Sequence, residues 1–287
     1  MLPPFEMHRP TSLEDALRLH TDLADSAAYY AGGTELLLAL KEGIVQYDHL
    51  IDLKPIAGLR RIERVNRGGA AMLRVGALMR HAEIACDEHV LAAMPALAKM
   101  AQDIGNIRVR NAGTIGGNLA FAEPHSDVGA LLLALDAEIE ASGEQGTRRI
   151  PAGEFWLGPF VTALAPGELA VAAEIPLAPG ARAAYVKFAV REFPTAGVGA
   201  QFVVKGTRVE RAKVAVGAVN GVPTRLAQAE EWVRGMDLAD PQLVDPAAWS
   251  EAAVPALEPV DDIYGSADYK VHLVGVLAAR VARTLRA

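Results

Sequence analysis

The chain has 287 residues, 51% of them hydrophobic and 22% charged, with a formal net charge of −7 and a single cysteine, Cys86. That size allows one large or two ordinary domains with a proper core, and the acidic balance argues against nucleic acid or an anionic membrane surface as a partner. No stretch approaches the roughly 18 apolar residues of a membrane span, the opening octapeptide lacks signal-peptide character, and a lone cysteine rules out an intrachain disulfide and fits a cytoplasmic protein.

In chain order, Thr11 and Glu14 have capping-box spacing ahead of an apolar face of Leu13, Ala16 and Leu17, which predicts a first helix. Residues 27–30 read as a strand that runs into Ala31-Gly32-Gly33-Thr34, after which Glu35-Leu36 opens a helix reaching Lys41. A short strand over 49–53 stops at Lys54-Pro55 and closes a small α/β unit of about residues 1–57. Strands follow at 59–65 and 72–75 around the turn 66–69, then a helix over 82–86. Val90, Met94, Leu97, Ala101 and Ile104 recur every three or four residues, predicting one buried helix that delivers the chain into a loop over 104–118. Residues 128–135 read as a helix capped from Ser126-Asp127, and 138–140, 148–150 and 168–175 as strands. From about 177 the texture changes to an antiparallel sheet of strands 185–190, 199–204 and 209–219, with Gly206-Thr207 as a tight turn. A helix over 227–233, a Pro-rich connector over 240–259 and a final helix over 269–285 complete the chain. The class is α+β: a two-part N-terminal domain, 1–57 and 58–176, then a smaller sheet-and-helix domain, 177–287.

Two stretches carry chemistry. Ala31-Gly32-Gly33-Thr34 and Gly113-Thr114-Ile115-Gly116-Gly117-Asn118 each set adjacent glycines beside hydrogen-bonding side chains. Without a Cβ the backbone can turn sharply against a ligand, and successive N–H groups can cradle a phosphate. Two such loops could grip a dinucleotide pyrophosphate from both sides, although neither matches the Rossmann or P-loop fingerprint. Ser126, His125 and Asp127 are immediate neighbours, an arrangement that rarely meets the geometry of a hydrolytic triad. His81 and His89 lack metal-ligand spacing, so no metal site is expected. Cys86 reads as a buried small residue, Tyr29 and Tyr30 as strand core, and Gly197-Val198-Gly199 as strand.

These motifs, with Ile107-Arg108, Arg110-Asn111 and Ser126-Asp127, closely resemble the FAD-binding medium subunit of molybdenum hydroxylases, the family of bacterial carbon monoxide dehydrogenases and of the xanthine dehydrogenase flavin domain. The resemblance runs nearly end to end, and includes the stretch 265–270 before the last helix. It implies FAD held by Ala31, Gly32, Gly33, Thr34, Glu35, Leu36, Ile104, Arg110, Thr114, Ile115, Gly116, Gly117, Asn118, Ser126, Asp127 and Lys187, with no catalytic residue on this chain. Asp127 can act as a helix cap or accept from a cofactor hydroxyl, and the family's spacing favours the cofactor. The resemblance further implies electron transfer through FAD to a final acceptor, an iron–sulfur small subunit and a molybdopterin large subunit as partners, and a dimer of heterotrimers. The family variant with a four-cysteine insertion is excluded by the single cysteine. Two other readings stand beside this one: a self-contained flavin oxidoreductase, and a nucleotide-binding module without redox chemistry.

Overall fold

The computed structural model describes residues 2–286. The first unit contains β1 (Glu6–His8), α1 (Leu13–Leu23), β2 (Ala27–Tyr30), α2 (Leu36–Lys41) and β3 (His49–Asp52). Its three strands form a parallel sheet in the order β1-β3-β2. The cap of α1 falls one residue later than the Thr11–Glu14 spacing predicts. Ser12 Oγ accepts the Asp15 N–H at 3.1 Å and donates to the Asp15 carboxylate at 2.8 Å, so the capping pair is Ser12–Asp15 in place of Thr11–Glu14. Ala16, Ile51 and Leu53 pack there against Leu78 and Val171, which belong to the next unit.

The second unit begins with β4 (Ile62–Arg67) and β5 (Ala70–Gly76). Six helices follow: α3 (His81–Cys86), α4 (Glu88–Ala93), α5 (Pro95–Asp103), α6 (Ile107–Ala112), α7 (Ile115–Phe121) and α8 (Asp127–Ala134). Then come β6 (Glu138–Gly143), β7 (Gly146–Pro151), α9 (Ala152–Phe155), the hairpin β8 (Trp156–Gly158) and β9 (Val161–Thr162), and β10 (Leu169–Pro176). The five long strands form an antiparallel sheet ordered β4-β5-β10-β6-β7.

Three expectations change here. The single helix over 90–104 is broken into α4 and α5, because Pro95 lacks an N–H and forces Met94 out of helical geometry (φ −148°, ψ 67°). Pro95 then serves as the first residue of α5, and all five apolar positions remain buried. The loop over 104–118 is largely helical, made of α6 and the start of α7. Cys86, the last residue of α3, is exposed rather than buried.

The third unit has β11 (Ala181–Phe188), β12 (Ala196–Lys205), β13 (Arg208–Gly217) and β14 (Thr224–Arg225) in one antiparallel sheet. It is covered by α10 (Ala227–Val233), α11 (Pro246–Ala253) and α12 (Ala267–Arg286). The Pro-rich connector therefore holds a helix: Asp245 caps it, Pro246 starts it, and buried Trp249 fixes it, donating from Nε1 to the Leu243 carbonyl at 2.8 Å. Leu273, Leu277, Val281 and Leu285 of α12 are buried, as their spacing predicts. Every residue of α8 is buried, because this helix is wedged between the second unit's core and strands β12 and β13. A helix without a polar face can only sit inside. The architecture is α+β, as expected.

Candidate functional site

A cleft of about 490 Å³ opens where the three units meet. Its first wall is the turn leaving the carboxyl end of β2, the usual ligand position at a parallel sheet. Gly33 has φ +73°, a conformation that glycine adopts without strain. Gly32 answers a different constraint, since a Cβ there would lie 2.2 Å from the Ala112 carbonyl oxygen. The two glycine loops thus touch backbone to backbone. Beyond this pinch the N–H groups of Gly32, Gly33, Thr34, Glu35 and Leu36 have no acceptor among the described residues; the first bonds of α2 are donated by Leu37, to the Gly33 carbonyl, and by Ala39, to that of Glu35. They form a row of unpaired donors beside the cleft.

The second loop is built differently. Asn106 caps α6 by accepting from Arg108 N and Val109 N, and Thr114 Oγ1 caps α7 by accepting from Gly117 N at 3.1 Å. The N–H groups of Ile115 and Gly116 donate to the carbonyls of Met79 and Ala77. The Gly-Gly pair of this loop therefore has its N–H groups already bonded, and the symmetrical grip suggested by sequence is replaced by a floor. A Cβ on Gly116 would stand 2.5 Å from the Ala77 Cβ, whereas one on Gly117 would meet only Thr114 Oγ1, at 3.1 Å. Gly116 allows tight packing; Gly117 leaves room on the cleft side.

At the far end Ser126 caps α8 and donates to Asn118 Oδ1 at 2.7 Å. Asp127 is the first residue of that helix, only 5% exposed. Its carboxylate accepts from the Tyr185 hydroxyl at 2.8 Å and from Lys187 Nζ at 2.9 Å, and Lys187 also donates to the Asp103 carbonyl. Burial pushes the Asp127 carboxyl above its usual range, opposed by the Lys187 ammonium and the Tyr185 hydroxyl. Burial likewise pushes the Tyr185 phenol well up. This cluster joins the cleft to β11.

Of the residues proposed from sequence, Ala31, Gly32, Gly33, Thr34, Glu35, Leu36, Ile104, Thr114, Gly117, Asn118, Ser126 and Asp127 line the cleft. Arg110, Ile115, Gly116 and Lys187 stand behind it. Arg110 donates to the carbonyls of Ile104 and Gly105 and so braces the bend, and Ile115 is buried in the second core. His125 bonds to Glu123 and Asp262 while Ser126 turns to Asn118, so no triad forms.

Sequence reasoning set His81 aside, yet it lines the cleft while only 2% exposed. Its Nδ1 is enclosed without a partner, and burial lowers its pKa to about 4, so the ring is neutral at pH 7. An enclosed bare nitrogen costs less than an enclosed unpaired N–H, which favours the tautomer with the proton on Nε2. Tyr29 also faces the cleft, stacked on His20 and donating to the Gly167 carbonyl. Glu35 is pushed up by burial and by Glu123. No spacing rule identifies His81 or Tyr29 as cleft residues; they reach Glu35 only in space.

Such a cleft defines a dinucleotide-binding α+β protein. The family model described as the FAD binding domain in molybdopterin dehydrogenase matches residues 3–178, and that of the CO dehydrogenase flavoprotein C-terminal domain matches 182–285. The chain is 34% identical to the carbon monoxide dehydrogenase medium chain of Hydrogenophaga pseudoflava, over 98% of this chain and 96% of that one. It is 33% identical to the 6-hydroxypseudooxynicotine dehydrogenase complex subunit alpha of Paenarthrobacter nicotinovorans, over 97% and 93%. A solved chain of Hydrogenophaga pseudoflava carbon monoxide dehydrogenase, lacking the Mo-pyranopterin moiety, superimposes with a TM-score of 0.91 at 32% identity, covering 99% of this chain and 98% of that one. The chain belongs to the FAD-binding medium-subunit family of molybdenum hydroxylases, whose members are oxidoreductase subunits.

The residues present fit that cofactor. Five adjacent unpaired N–H groups beside the cleft suit a pyrophosphate, at about 1.5–3 kcal/mol for each bond to a charged group. The room left by Gly117 and the donors of Thr34 and Asn118 suit its close approach.

Proposed function

We propose that this chain is the electron-transferring flavin subunit of a molybdenum hydroxylase assembly, with FAD in the cleft between the glycine loops. The row of unpaired N–H groups at 32–36 carries this reading. When bound, FAD supplies the redox chemistry, taking electrons from a partner and giving them to a final acceptor. The protein supplies grip and orientation. Residues 32–36 donate to the pyrophosphate, Gly117 leaves the space, and His81 Nε2–H donates to a cofactor acceptor. Lys187 and Tyr185 hold the Asp127 carboxylate beside the cofactor hydroxyls. Ile104, Val109, Phe121 and Phe193 exclude water along the apolar wall. The family models, meeting between residues 178 and 182, support a division into 1–57, 58–176 and 177–287.

The partners we assign are an iron–sulfur small subunit and a molybdopterin large subunit, arranged as a dimer of heterotrimers. A two-iron cluster needs four thiolates or their equivalent, and this chain holds one cysteine. Ile107 (66% exposed) and Val190 (76%) offer an apolar face for docking, in segments joined by the Asn106–Glu192 hydrogen bond of 2.6 Å. We assign the complex to the cytoplasm; among the described residues no helix is long and apolar enough to cross a membrane.

The test is flavin reduction. Alone, the purified chain should release FAD on acid precipitation yet show no bleaching with aldehyde, purine or carbon monoxide substrates. Co-expression with its two partners should restore bleaching with the complex's own substrate. Substrate-dependent bleaching of the lone chain would refute the subunit reading and leave a self-contained oxidoreductase.

A further inference from the structure

On the first unit's sheet, away from the cleft, three metal-ligating side chains come together. Glu6 and His8 lie two apart on β1 and so face the same side. His49 of β3 is the register partner of Glu6 in the parallel ladder and projects to that side as well. His8 Nε2 and His49 Nδ1 are 3.1 Å apart, and His49 Nδ1 is 3.7 Å from Glu6 Oε2. All three ligand atoms lie within 4.8 Å of one another.

We propose that Glu6, His8 and His49 form a binding site for one divalent transition-metal ion, with Zn²⁺ as its representative. Bonds of 2.0–2.2 Å in a tetrahedron place neighbouring ligand atoms about 3.4 Å apart, and the separations of 3.1 and 3.7 Å straddle that value. The donor set, two imidazoles and one carboxylate, belongs to borderline ions such as Zn²⁺, Ni²⁺ and Cu²⁺ rather than to Ca²⁺ or Mg²⁺. Three protein ligands leave a fourth position for water, as the partial exposure of the site allows. The backbone is already set by strand pairing, so binding orders little more than side-chain rotamers. A bound ion ties β1, only three residues long, to the strand beside β2 and its glycine turn.

Zn²⁺ itself is the probe, titrated by calorimetry into tag-free, chelator-treated full-length chain, with Mg²⁺ as a control. We expect one equivalent to bind, a rise in Tm with Zn²⁺ through linkage, and no response to Mg²⁺. Affinity should fall by about tenfold or more in each of His8→Gln and His49→Gln. Replacing Zn²⁺ by Co²⁺ should give the visible absorption bands of a four-coordinate site, absent in the double variant. FAD content and circular dichroism of the variants verify that they fold. Absence of saturable Zn²⁺ binding below about 1 mM, or unchanged affinity and stoichiometry in the folded double variant, overturns the proposal.

Discussion

Gly116 and Gly117 are adjacent in the same first turn of α7 but face different neighbours, so two substitutions separate packing from cofactor binding. A Cβ at Gly116 would approach the Ala77 Cβ at 2.5 Å and its Cα and carbonyl oxygen at 2.9 Å. Backbone cannot yield as a flexible side chain can, so Gly116→Ala should overpack the helix against β5's exit and cost about 1–3 kcal/mol. A Cβ at Gly117 meets only Thr114 Oγ1, at 3.1 Å, and alanine favours an interior helical position by up to about 1 kcal/mol. Gly117→Ala should therefore leave stability unchanged or raised. Its methyl group, and more so the side chain of Gly117→Val, occupies space on the cofactor side. If one hydrogen bond to charged phosphate is lost, the cost is about 1.5–3 kcal/mol, or roughly 10- to 150-fold in affinity. The assay pairs a urea unfolding curve of the apoprotein with FAD titration by quenching of flavin fluorescence. The expected pattern is crossed: Gly116→Ala lowers the unfolding midpoint, while Gly117→Val keeps the midpoint and loses FAD. Parental FAD affinity in Gly117→Val would show that α7 does not abut the cofactor and would sink the assignment of this loop.

His81 gives a pH signature. Its pKa is lowered from 6.5 to about 4 by burial, so the folded state resists protonation; the associated stability is full above pH 6.5 and is lost as pH falls toward 4. The shift corresponds to about 3 kcal/mol, and His81→Leu should remove this slope from a plot of unfolding free energy against pH, an unchanged slope counting against the reading. Lys187→Met leaves the Asp127 carboxylate buried without its cation and should cost about 3 kcal/mol in chemical denaturation, with much of that restored in Asp127→Asn/Lys187→Met; strictly additive single effects would refute the pairing. Free FAD at 100 times its Kd should stabilise the chain by about 2.7 kcal/mol, read as a rise in Tm, and a Tm indifferent to FAD would contradict a site in the folded state.

The parts legible in the sequence were those whose cause is local. Ala31-Gly32-Gly33-Thr34 announces a turn after a strand, α10 spans the predicted 227–233, and the four-residue spacing in α12 marks its buried face. Helices α6 and α7 were not legible, because their caps, Asn106 and Thr114, and two glycines in the first turn of α7 are also what a loop contains. The apolar periodicity ran one helix through Pro95, and the Pro-rich composition of 240–259 read as a connector, so neither showed that Pro95 and Pro246 each begin a helix. The difference between the two glycine loops was out of reach as well: the carbonyls of Met79 and Ala77, more than 30 residues upstream, decide whether the N–H groups of Ile115 and Gly116 are free. His81 and the Glu6–His8–His49 group depend on tertiary proximity in the same way.

That difference assigns the two loops unequal work. A pyrophosphate needs donors that are unpaired in the empty protein, since donors already bonded to carbonyls would have to break those bonds first, at about the same energy that the new bonds return. Among the described residues of the two loops, 32–36 form the longest unbroken run of such donors, while Gly105, Asn106, Ile107 and Thr114 keep unbonded N–H groups in the second loop. The second loop contributes through what it fixes. Its internal bonds hold α7 against β5 and keep Gly117 turned toward the cleft. Asn118 orients Ser126 at the start of α8, and α8 in turn presents Asp127 to Lys187 and Tyr185. The carboxylate end of the cleft is therefore held from β11 in the third unit, while the phosphate end is held from β2 in the first. A ligand that reached both ends would contact elements of all three units, since the cleft is lined by residues within 29–47, 81–127 and 192–193.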